Sequence, residues 1–431
     1  MTSALLTDRY ELTMIDAARQ AGTADRRSVF ELFARRLPDG RRYGVVAGMT
    51  RLVELVGRFR FDPAALSWLA GERVVSDDTL AWLADYRFRG TIRGYREGEL
   101  YFPGSPILIV EGGFAEAVVL ETLALSVLNA DSAVASAAAR MVQAAEGRPI
   151  IEMGSRRTNE RAAVAAARAA RVAGFAATSN LEAGRRWGIP TAGTAAHSFT
   201  LLHDSEEEAF RAQVSALGAG TTLLVDTYDI ARGVETAVRV AGPGLGAVRI
   251  DSGDLPVVVA EVRAQLDALG ATGTRIVVTS DLDEYAIAGL RGAPVDSFGV
   301  GTSLVTGSGA PTAGMVYKLV AVEGPEGWRS VEKASLGKAS VGGRKQAVRA
   351  LSGGVAVSED VYVEDPPVSP DPATGRSLLV EQLVDGEPVV EEHGHDSLDE
   401  ARAHHAAAIA ELPPAALSLA RGEPAIPTRY L

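Results

Sequence analysis

The chain has 431 residues, 47% hydrophobic and 23% charged, with a formal net charge of −12 at pH 7. That length can bury more than one core, and two domains are expected. The acidic balance excludes a general nucleic-acid or anionic-membrane binder, while leaving room for a few arginines to hold a small anion. No cysteine occurs, so disulfides and thiolate metal sites are excluded and the composition fits a reducing cytoplasm. The start, MTSALLTDRY, lacks the basic-then-apolar pattern of a signal peptide. The most apolar helix-like stretch, Gly113 to Met141, is interrupted by Glu116, Glu121, Asp131 and Arg140, so no membrane span is expected.

Residues 1–110 predict an α+β part. Thr7 and Asp8 can cap a helix running toward Gln20. A strand is expected at Ser28 to Arg35, helices around Thr50 to Val56 and Asp78 to Tyr86, and strands near Thr91 to Tyr95 and Ile107 to Val110. Residues 111–305 predict a (β/α) barrel with catalytic loops. Its strands are expected at Pro149 to Met153, Gly174 to Ala177, Ile189 to Ala192, Thr221 to Val225, Ala247 to Ile250, Thr274 to Val278 and Asp296 to Val300. Helical patterns at Asn159 to Val172, Leu181 to Trp187, Glu206 to Leu217, Ile230 to Val240, Val257 to Leu269 and Glu284 to Leu290 separate most of them. Strands at ~25-residue spacing, with Ile107 to Val110 or a neighbour as an eighth, point to a barrel. A doubly wound sheet is the alternative; the GxGxxG turn that usually follows its first strand is absent there. Residues 306–431 change rhythm. Met315 to Glu323 and Trp328 to Lys333 flank a Gly-Pro-Glu-Gly turn, a hairpin signal. Gly354 to Val363 and Leu378 to Val390 add short strands, the latter with an Asp385-Gly386 turn. These strands are expected to join the N-terminal part in one antiparallel domain built from both chain ends. Ser397 to Leu412 predicts an alanine-rich helix.

Polar residues collect where the apolar runs end. Thr221 to Val225 runs into Asp226-Thr227-Tyr228-Asp229, and Ala247 to Ile250 into Asp251-Ser252-Gly253-Asp254. Parallel strands joined by a helix put both loops on one sheet edge, where such folds carry active sites. The other exits are Glu152-Met153-Gly154-Ser155-Arg156-Arg157, Thr178-Ser179-Asn180, Gly193-Thr194-Ala195-Ala196-His197-Ser198, Ser280-Asp281-Leu282-Asp283 and Gly299-Val300-Gly301-Thr302-Ser303. Helix capping explains many of these Ser, Thr and Asp residues singly, but not paired arginines, a histidine and a Gly-x-Gly-Thr at one end.

Gly299-Val300-Gly301-Thr302 suits a phosphate cradle, because glycine lets backbone N–H groups approach an anion; a plain tight turn is the alternative. Arg156 and Arg157 offer paired donors to carboxylate or phosphate, with a surface ion pair the alternative and the better reading for Arg157. Arg249 stands between Val248 and Ile250 in a strand, where an unpaired charge is costly. It is expected to point into the site toward an anion, the alternative being a buried pair with a neighbouring aspartate. His197, at a strand exit, suits a base or a phosphoryl acceptor, a structural histidine being the alternative. No His/Asp/Glu spacing matches a zinc site. The aspartates suit Mg²⁺ arriving with a polyphosphate, or the hydroxyls of a sugar.

Thr7-Asp8-Arg9-Tyr10-Glu11-Leu12-Thr13-Met14, Glu31-Leu32-Phe33-Ala34-Arg35-Arg36-Leu37-Pro38 and Gly343-Arg344-Lys345-Gln346 add to these segments. Together, over about Thr7 to Arg349, they resemble the nicotinate phosphoribosyltransferases. The resemblance implies an irregular (β/α) barrel of the type II phosphoribosyltransferase kind plus an antiparallel α+β domain. It implies that nicotinate attacks C1 of phosphoribosyl pyrophosphate, giving nicotinate mononucleotide and pyrophosphate in NAD salvage. ATP hydrolysis would be coupled through a phosphohistidine, making the enzyme an ATP-dependent ligase. By motif position that histidine is His197, with Asp251 and Arg249 as its catalytic companions. Arg249 would meet the nicotinate carboxylate, with Thr194 and Arg156 nearby. Tyr10 would stack on the pyridine ring in the partner subunit's site of a homodimer. Met153, where relatives often carry an aromatic, would cover a ring face with its thioether. Asp251 would hold the ribose hydroxyls; Asp226, Ser252, Gly253, Ser280, Gly299, Gly301 and Thr302 would serve ribose and phosphate. Mg²⁺ would come with pyrophosphate and ATP rather than be tightly bound by protein. Similar enzymes acting on nicotinamide carry Asp in the loop matching Thr178-Ser179-Asn180; Ser179 here leaves a carboxylate unrepelled. Such a transfer passes through an oxocarbenium-like state, so positioning and charge placement matter more than proton chemistry. The alternatives are a nicotinamide- or quinolinate-specific phosphoribosyltransferase and a non-catalytic pyridine nucleotide sensor. A Schiff-base barrel lyase is opposed, because no lysine precedes Lys318.

Overall fold

The computed structural model describes residues 4–333, 341–363, 370–389 and 395–431. It divides into two compact units, Met1–Ser136 with Ala310–Leu431, and Ala137–Gly309.

The first unit grows from the strand Arg27–Ala34, buried at every position after Arg27. A strand buried on both faces needs apolar cover on each side and partners along both edges. Its edges pair antiparallel with Met315–Gly324 and Pro106–Gly113. The full sheet runs Gly327–Ser330, Met315–Gly324, Arg27–Ala34, Pro106–Gly113, Thr91–Tyr95, Leu379–Val384, Glu387–Pro388. Strands from both ends of the sequence thus share one sheet. Glu323 faces Trp328 across the first hairpin, whose second strand ends at Ser330 rather than Lys333. Asp385 and Gly386 both have positive φ, 52° and 81°, as a tight hairpin turn of the primed type requires. Val390, the expected end of that region, lies outside the described residues. A four-stranded sheet, Gly375–Ser377, Lys345–Ser352, Val355–Val363, Thr428–Tyr430, and the helix His395–Ala410 complete the unit.

Ile107 to Val110 is therefore not a barrel strand. Val110 pairs with Phe30 on one side and Ile92 on the other, so both edges are already used by antiparallel ladders. The division between units falls at Ser136/Ala137, inside the helix Glu121–Ala145, rather than at residue 110. Among the described residues the stretch Phe114–Ala145 is the one helical span long and apolar enough to cross a membrane, and most of its apolar window is buried as core.

The second unit is a parallel sheet ordered Ala177–Thr178, Ile150–Glu152, Ser297–Val300, Arg275–Thr279, Ala247–Ile250, Thr222–Leu224. The first and last strands in sequence, Ile150–Glu152 and Ser297–Val300, are neighbours. The helices Glu160–Val172, Leu181–Trp187, Glu206–Leu217, Ile230–Ala241, Leu255–Ala268 and Glu284–Gly289 separate the strands. Where Ile189 to Ala192 is expected as a strand, only a Thr178–Thr191 bridge forms. Pro190 has no N–H to extend a ladder. Among the described residues no ladder joins this segment to Thr222–Leu224, so hydrogen bonds do not close the ring. The molecule is a mixed α/β fold with parallel and antiparallel sheets.

Candidate functional site

The parallel strands deliver their polar residues to one edge, and the structure sorts caps from free groups. Asn180 accepts from the Ala183 N–H, Asp229 from Arg232, and Asp283 from Tyr285 and Ala286. Helix capping accounts for one side-chain oxygen of each.

Asp226 and Asp251 do something else. Asp226 Oδ2 accepts from the Asp251 N–H at 2.7 Å and the Ser252 hydroxyl at 2.8 Å. Its Oδ1 is buried without a hydrogen-bond partner. Asp251 Oδ1 accepts from the Thr279 hydroxyl at 3.0 Å, and its Oδ2 lies 3.9 Å from His197 Nε2. His197 Nδ1 sits 3.1 Å from Thr227 Oγ1. The His197 and Asp251 side chains are each 42% exposed, open enough to meet a ligand. His197 opens a short helix, His197–Leu202, that the sequence pattern did not indicate.

Arg249, from the strand Ala247–Ile250, donates from Nη1 to Thr194 Oγ1 at 3.1 Å and from Nη2 to the Ala195 carbonyl at 3.0 Å. Its Nε is buried and unpartnered. Burial lowers its pKa; Asp251 and Asp226 counter this, and Arg156 adds to it. Both hydrogen-bond partners are neutral, so the alternative of a buried ion pair with an aspartate is not what forms. A guanidinium fixed by neutral partners keeps its charge for an incoming anion.

A second cluster ties two more loops together. Glu152 is fully buried and accepts from the Gly154 N–H and the Thr178 hydroxyl. Burial pushes its carboxyl pKa up, against both hydrogen bonds. Its backbone carbonyl accepts from the Ser179 N–H at 2.8 Å, and Asn180 Nδ2 donates to Ser155 Oγ at 3.0 Å. The Ser179 loop and the Arg156 loop are thus one construction. Sequence reasoning gave Glu152 no role; an acid closing an otherwise apolar strand was the available signal. Met153 lies over Gly299, where an added Cβ would stand 2.7 Å from its Sδ and 2.5 Å from Thr279 Cγ2. Close packing thus already requires glycine there. Gly301 precedes the four-residue helix Thr302–Val305. Arg156, Ser280 and Thr302 are exposed at strand exits, and Gly253 takes the left-handed φ of 91°.

The structure therefore brings Thr194, His197, Asp226, Arg249, Asp251 and Ser252 into one network, and Met153 onto Gly299. Tyr10 belongs to the first unit, on the helix Arg9–Gln20, 45% exposed. Among the described residues no group of three or more His, Asp or Glu is arranged to hold a metal. The network offers a cation, two carboxylates and an imidazole to one small polar molecule.

Residues 5–129 match the family model described as nicotinate phosphoribosyltransferase (NAPRTase) N-terminal domain. The chain is 58% identical over 437 residues to nicotinate phosphoribosyltransferase pncB1 of Mycobacterium tuberculosis (strain CDC 1551 / Oshkosh), covering 99% of this chain and 95% of the relative. It is 36% identical over 372 residues to the nicotinate phosphoribosyltransferase of Bacillus subtilis, covering 83% and 75%. The crystal structure of human nicotinic acid phosphoribosyltransferase superposes with a TM-score of 0.84 at 28% identity, covering 98% of this chain and 97% of the human one. A nicotinate-nucleotide pyrophosphorylase from Pyrococcus furiosus, 24% identical, shares the fold with a TM-score of 0.78, covering 94% and 95%. With full-length identity of this size, the chain belongs to the nicotinate phosphoribosyltransferase family.

Proposed function

We propose that this protein is an enzyme that transfers the phosphoribosyl group of phosphoribosyl pyrophosphate to nicotinate, with ATP hydrolysis coupled to the transfer. The observation that carries the reading is Arg249. Its guanidinium is held by a hydroxyl and a carbonyl, keeps Nε unpartnered, and lies close enough to Asp226 and Asp251 to feel their charge. A pyridine carboxylate completes such a site; a neutral amide leaves the cation unmatched, which disfavours nicotinamide. Arg156 would share the carboxylate, and Ser179 adds no repelling charge.

In the mechanism, the pyridine nitrogen forms a bond to C1 as the bond from C1 to pyrophosphate breaks. Met153 would cover one ring face and Tyr10 of a second copy the other, in a homodimer. Asp251 would hold the ribose hydroxyls and place negative charge near the developing oxocarbenium. Ser252, Gly253, Ser280, Gly299, Gly301 and Thr302 would line the ribose and phosphate path. The residues present fit Mg²⁺ carried by the donor: Asp226 Oδ1 is a buried carboxylate oxygen without a partner, the donor type this ion takes. When bound, the ion would supply charge neutralisation to the departing pyrophosphate.

His197 would take the γ-phosphoryl group of ATP. Thr227 engages Nδ1, leaving Nε2 as the nitrogen that forms the N–P bond while the bond to ADP breaks. That nitrogen is 3.9 Å from Asp251, so the phosphoryl group would sit beside the ribose-binding carboxylate. We read the parallel sheet as an irregular barrel and the enzyme as cytoplasmic, on the strand order and the missing cysteines.

The test is a steady-state assay with nicotinate, nicotinamide and quinolinate, each with phosphoribosyl pyrophosphate and Mg²⁺, with and without ATP. Nicotinate mononucleotide and pyrophosphate should form from nicotinate, faster with ATP. Turnover with nicotinamide alone overturns the substrate reading. No pyrophosphate from any of them favours the sensor.

A further inference from the structure

We propose that Thr279 is a positioning residue: its hydroxyl holds one oxygen of Asp251, so that the other stays clear of His197 and open to a ligand. The inference rests on the transferase reading above and deepens it, naming what keeps the acid and the imidazole of that site apart.

Thr279 ends the strand Arg275–Thr279, which lies between Ala247–Ile250 and Ser297–Val300 in the parallel sheet. Its side chain has two branches, and each neighbour takes one. The methyl faces Ser297–Val300: Thr279 pairs with Gly299, where an added Cβ would stand 2.5 Å from Thr279 Cγ2. The hydroxyl faces the exit of Ala247–Ile250 and donates to Asp251 Oδ1 at 3.0 Å. A β-branched residue is stiff at χ1, and Thr279 is only 7% exposed. Exchanging the branches would put the methyl against the carboxylate and leave Oδ1 without its donor. The space that glycine leaves at position 299 therefore seats the methyl and aims the hydroxyl.

Asp251 depends on such a hold. Its side chain is 42% exposed, and among the described residues Thr279 is the one hydrogen-bond donor to its carboxylate. Its backbone is fixed separately, by the N–H bond to Asp226 Oδ2 at 2.7 Å. Asp251 Oδ2 stops 3.9 Å from His197 Nε2, beyond hydrogen-bond reach, while Thr227 Oγ1 sits 3.1 Å from His197 Nδ1. Two threonines thus anchor the far sides of an acid and an imidazole that face each other across a gap. An untethered carboxylate beside an imidazole turns to accept its N–H. That contact keeps a proton on Nε2, which then lacks the lone pair needed to attack phosphorus. It also occupies the Asp251 oxygen left for the ribose hydroxyls. The Thr279 tether prevents both.

The experiment compares wild type with T279V, T279S and T279C. It reads KM for phosphoribosyl pyrophosphate, KM for nicotinate, kcat, Tm and the rate at which labelled ATP forms acid-labile phosphoprotein. Valine keeps the shape and loses the donor; serine keeps the donor. T279V should raise the phosphoribosyl pyrophosphate KM and slow phosphoprotein formation, each by about threefold to tenfold, the scale of losing one hydrogen bond. The nicotinate KM should move much less, because Arg249 is held by Thr194 and Ala195. T279S should stay within about twofold of wild type throughout. Should T279V fail to fold, T279C decides in its place: its thiol, a weak donor, should lose what T279S retains in a similar shape. A merely structural Thr279 would lower Tm and leave phosphoprotein formation untouched. Wild-type kinetics in T279V, equal losses in T279V and T279S, or a nicotinate KM that rises in step overturn the proposal while the transferase reading stands. A wild-type chain that makes no nicotinate mononucleotide overturns both.

Discussion

The strand-fastening charges of the first unit and the sheet-edge charges of the second are arranged in opposite ways. In the first, buried cations are matched with carboxylates. Arg349 and Glu359, both fully buried, are paired at 2.6 Å, and Arg376 joins Glu99 to Glu411. Lys345 is buried against Glu31. Lys345–Glu31 and Arg376–Glu99 join segments distant in sequence, while Arg349–Glu359 ties together two neighbouring strands of one sheet. In the second unit Arg249 is held by neutral groups, Asp226 keeps an unpartnered oxygen, and His197 and Asp251 stay apart at 3.9 Å. Matched charge serves the fold; unmatched charge waits for a ligand.

The contrast breaks most sharply if a residue of one class behaves like the other. Glu359→Ala leaves the buried Arg349 with only the Glu99 carboxylate, 3.6 Å away, and should cost about 3 kcal/mol of stability. Urea denaturation of the first unit measures it; a loss below about 1 kcal/mol would mean the pair is ornamental. Arg249→Ala should leave the urea midpoint nearly unmoved. It should lower kcat/KM for nicotinate by about a hundredfold or more, the scale for removing one partner of a desolvated charge pair. An unchanged nicotinate KM would remove its carboxylate role.

His197→Ala sharpens the comparison within the site. Basal transfer should remain measurable, while stimulation by ATP disappears and no acid-labile phosphoprotein forms with labelled ATP. Persistent ATP stimulation would move the phosphoryl acceptor elsewhere.

The smallest expected effect concerns Glu11. Burial of its carboxyl raises the pKa from 4.5 to about 7, outweighing the Thr122 hydrogen bonds. Between those values the folded chain holds a proton that the unfolded chain has released. The contribution of Glu11 to stability is therefore full at low pH and is lost as pH rises through that window. Glu11→Gln should flatten the fall in Tm between about pH 5 and about pH 8. An equally steep fall would assign the dependence to other groups.

Much of this was legible in the chain itself. Ala247–Ile250 and Leu181–Trp187 carry clean apolar patterns and clear stops, so local rules located them. Strand-end placement likewise groups Arg249, Asp251 and His197 from the sequence alone. What escaped depends on partners far away in sequence. Ile107 to Val110 reads as any buried strand, and only its neighbours make it antiparallel and assign it to the first unit. Glu152 reads as one more acid near a site until packing buries it beneath two loops. Gly299 reads as a phosphate contact, whereas the close packing of the Thr279 methyl and the Met153 thioether already requires glycine there. The helix opened by His197 is too short for periodicity to announce.

The distribution of amines has a practical use. The lysines of the chain are Lys318, Lys333, Lys338 and Lys345, so the second unit, Ala137–Gly309, has none. Acylating reagents therefore touch only the first unit and the α-amine. Because the Lys345 side chain has no exposure, its labelling, followed by mass spectrometry, times the opening of that unit alone.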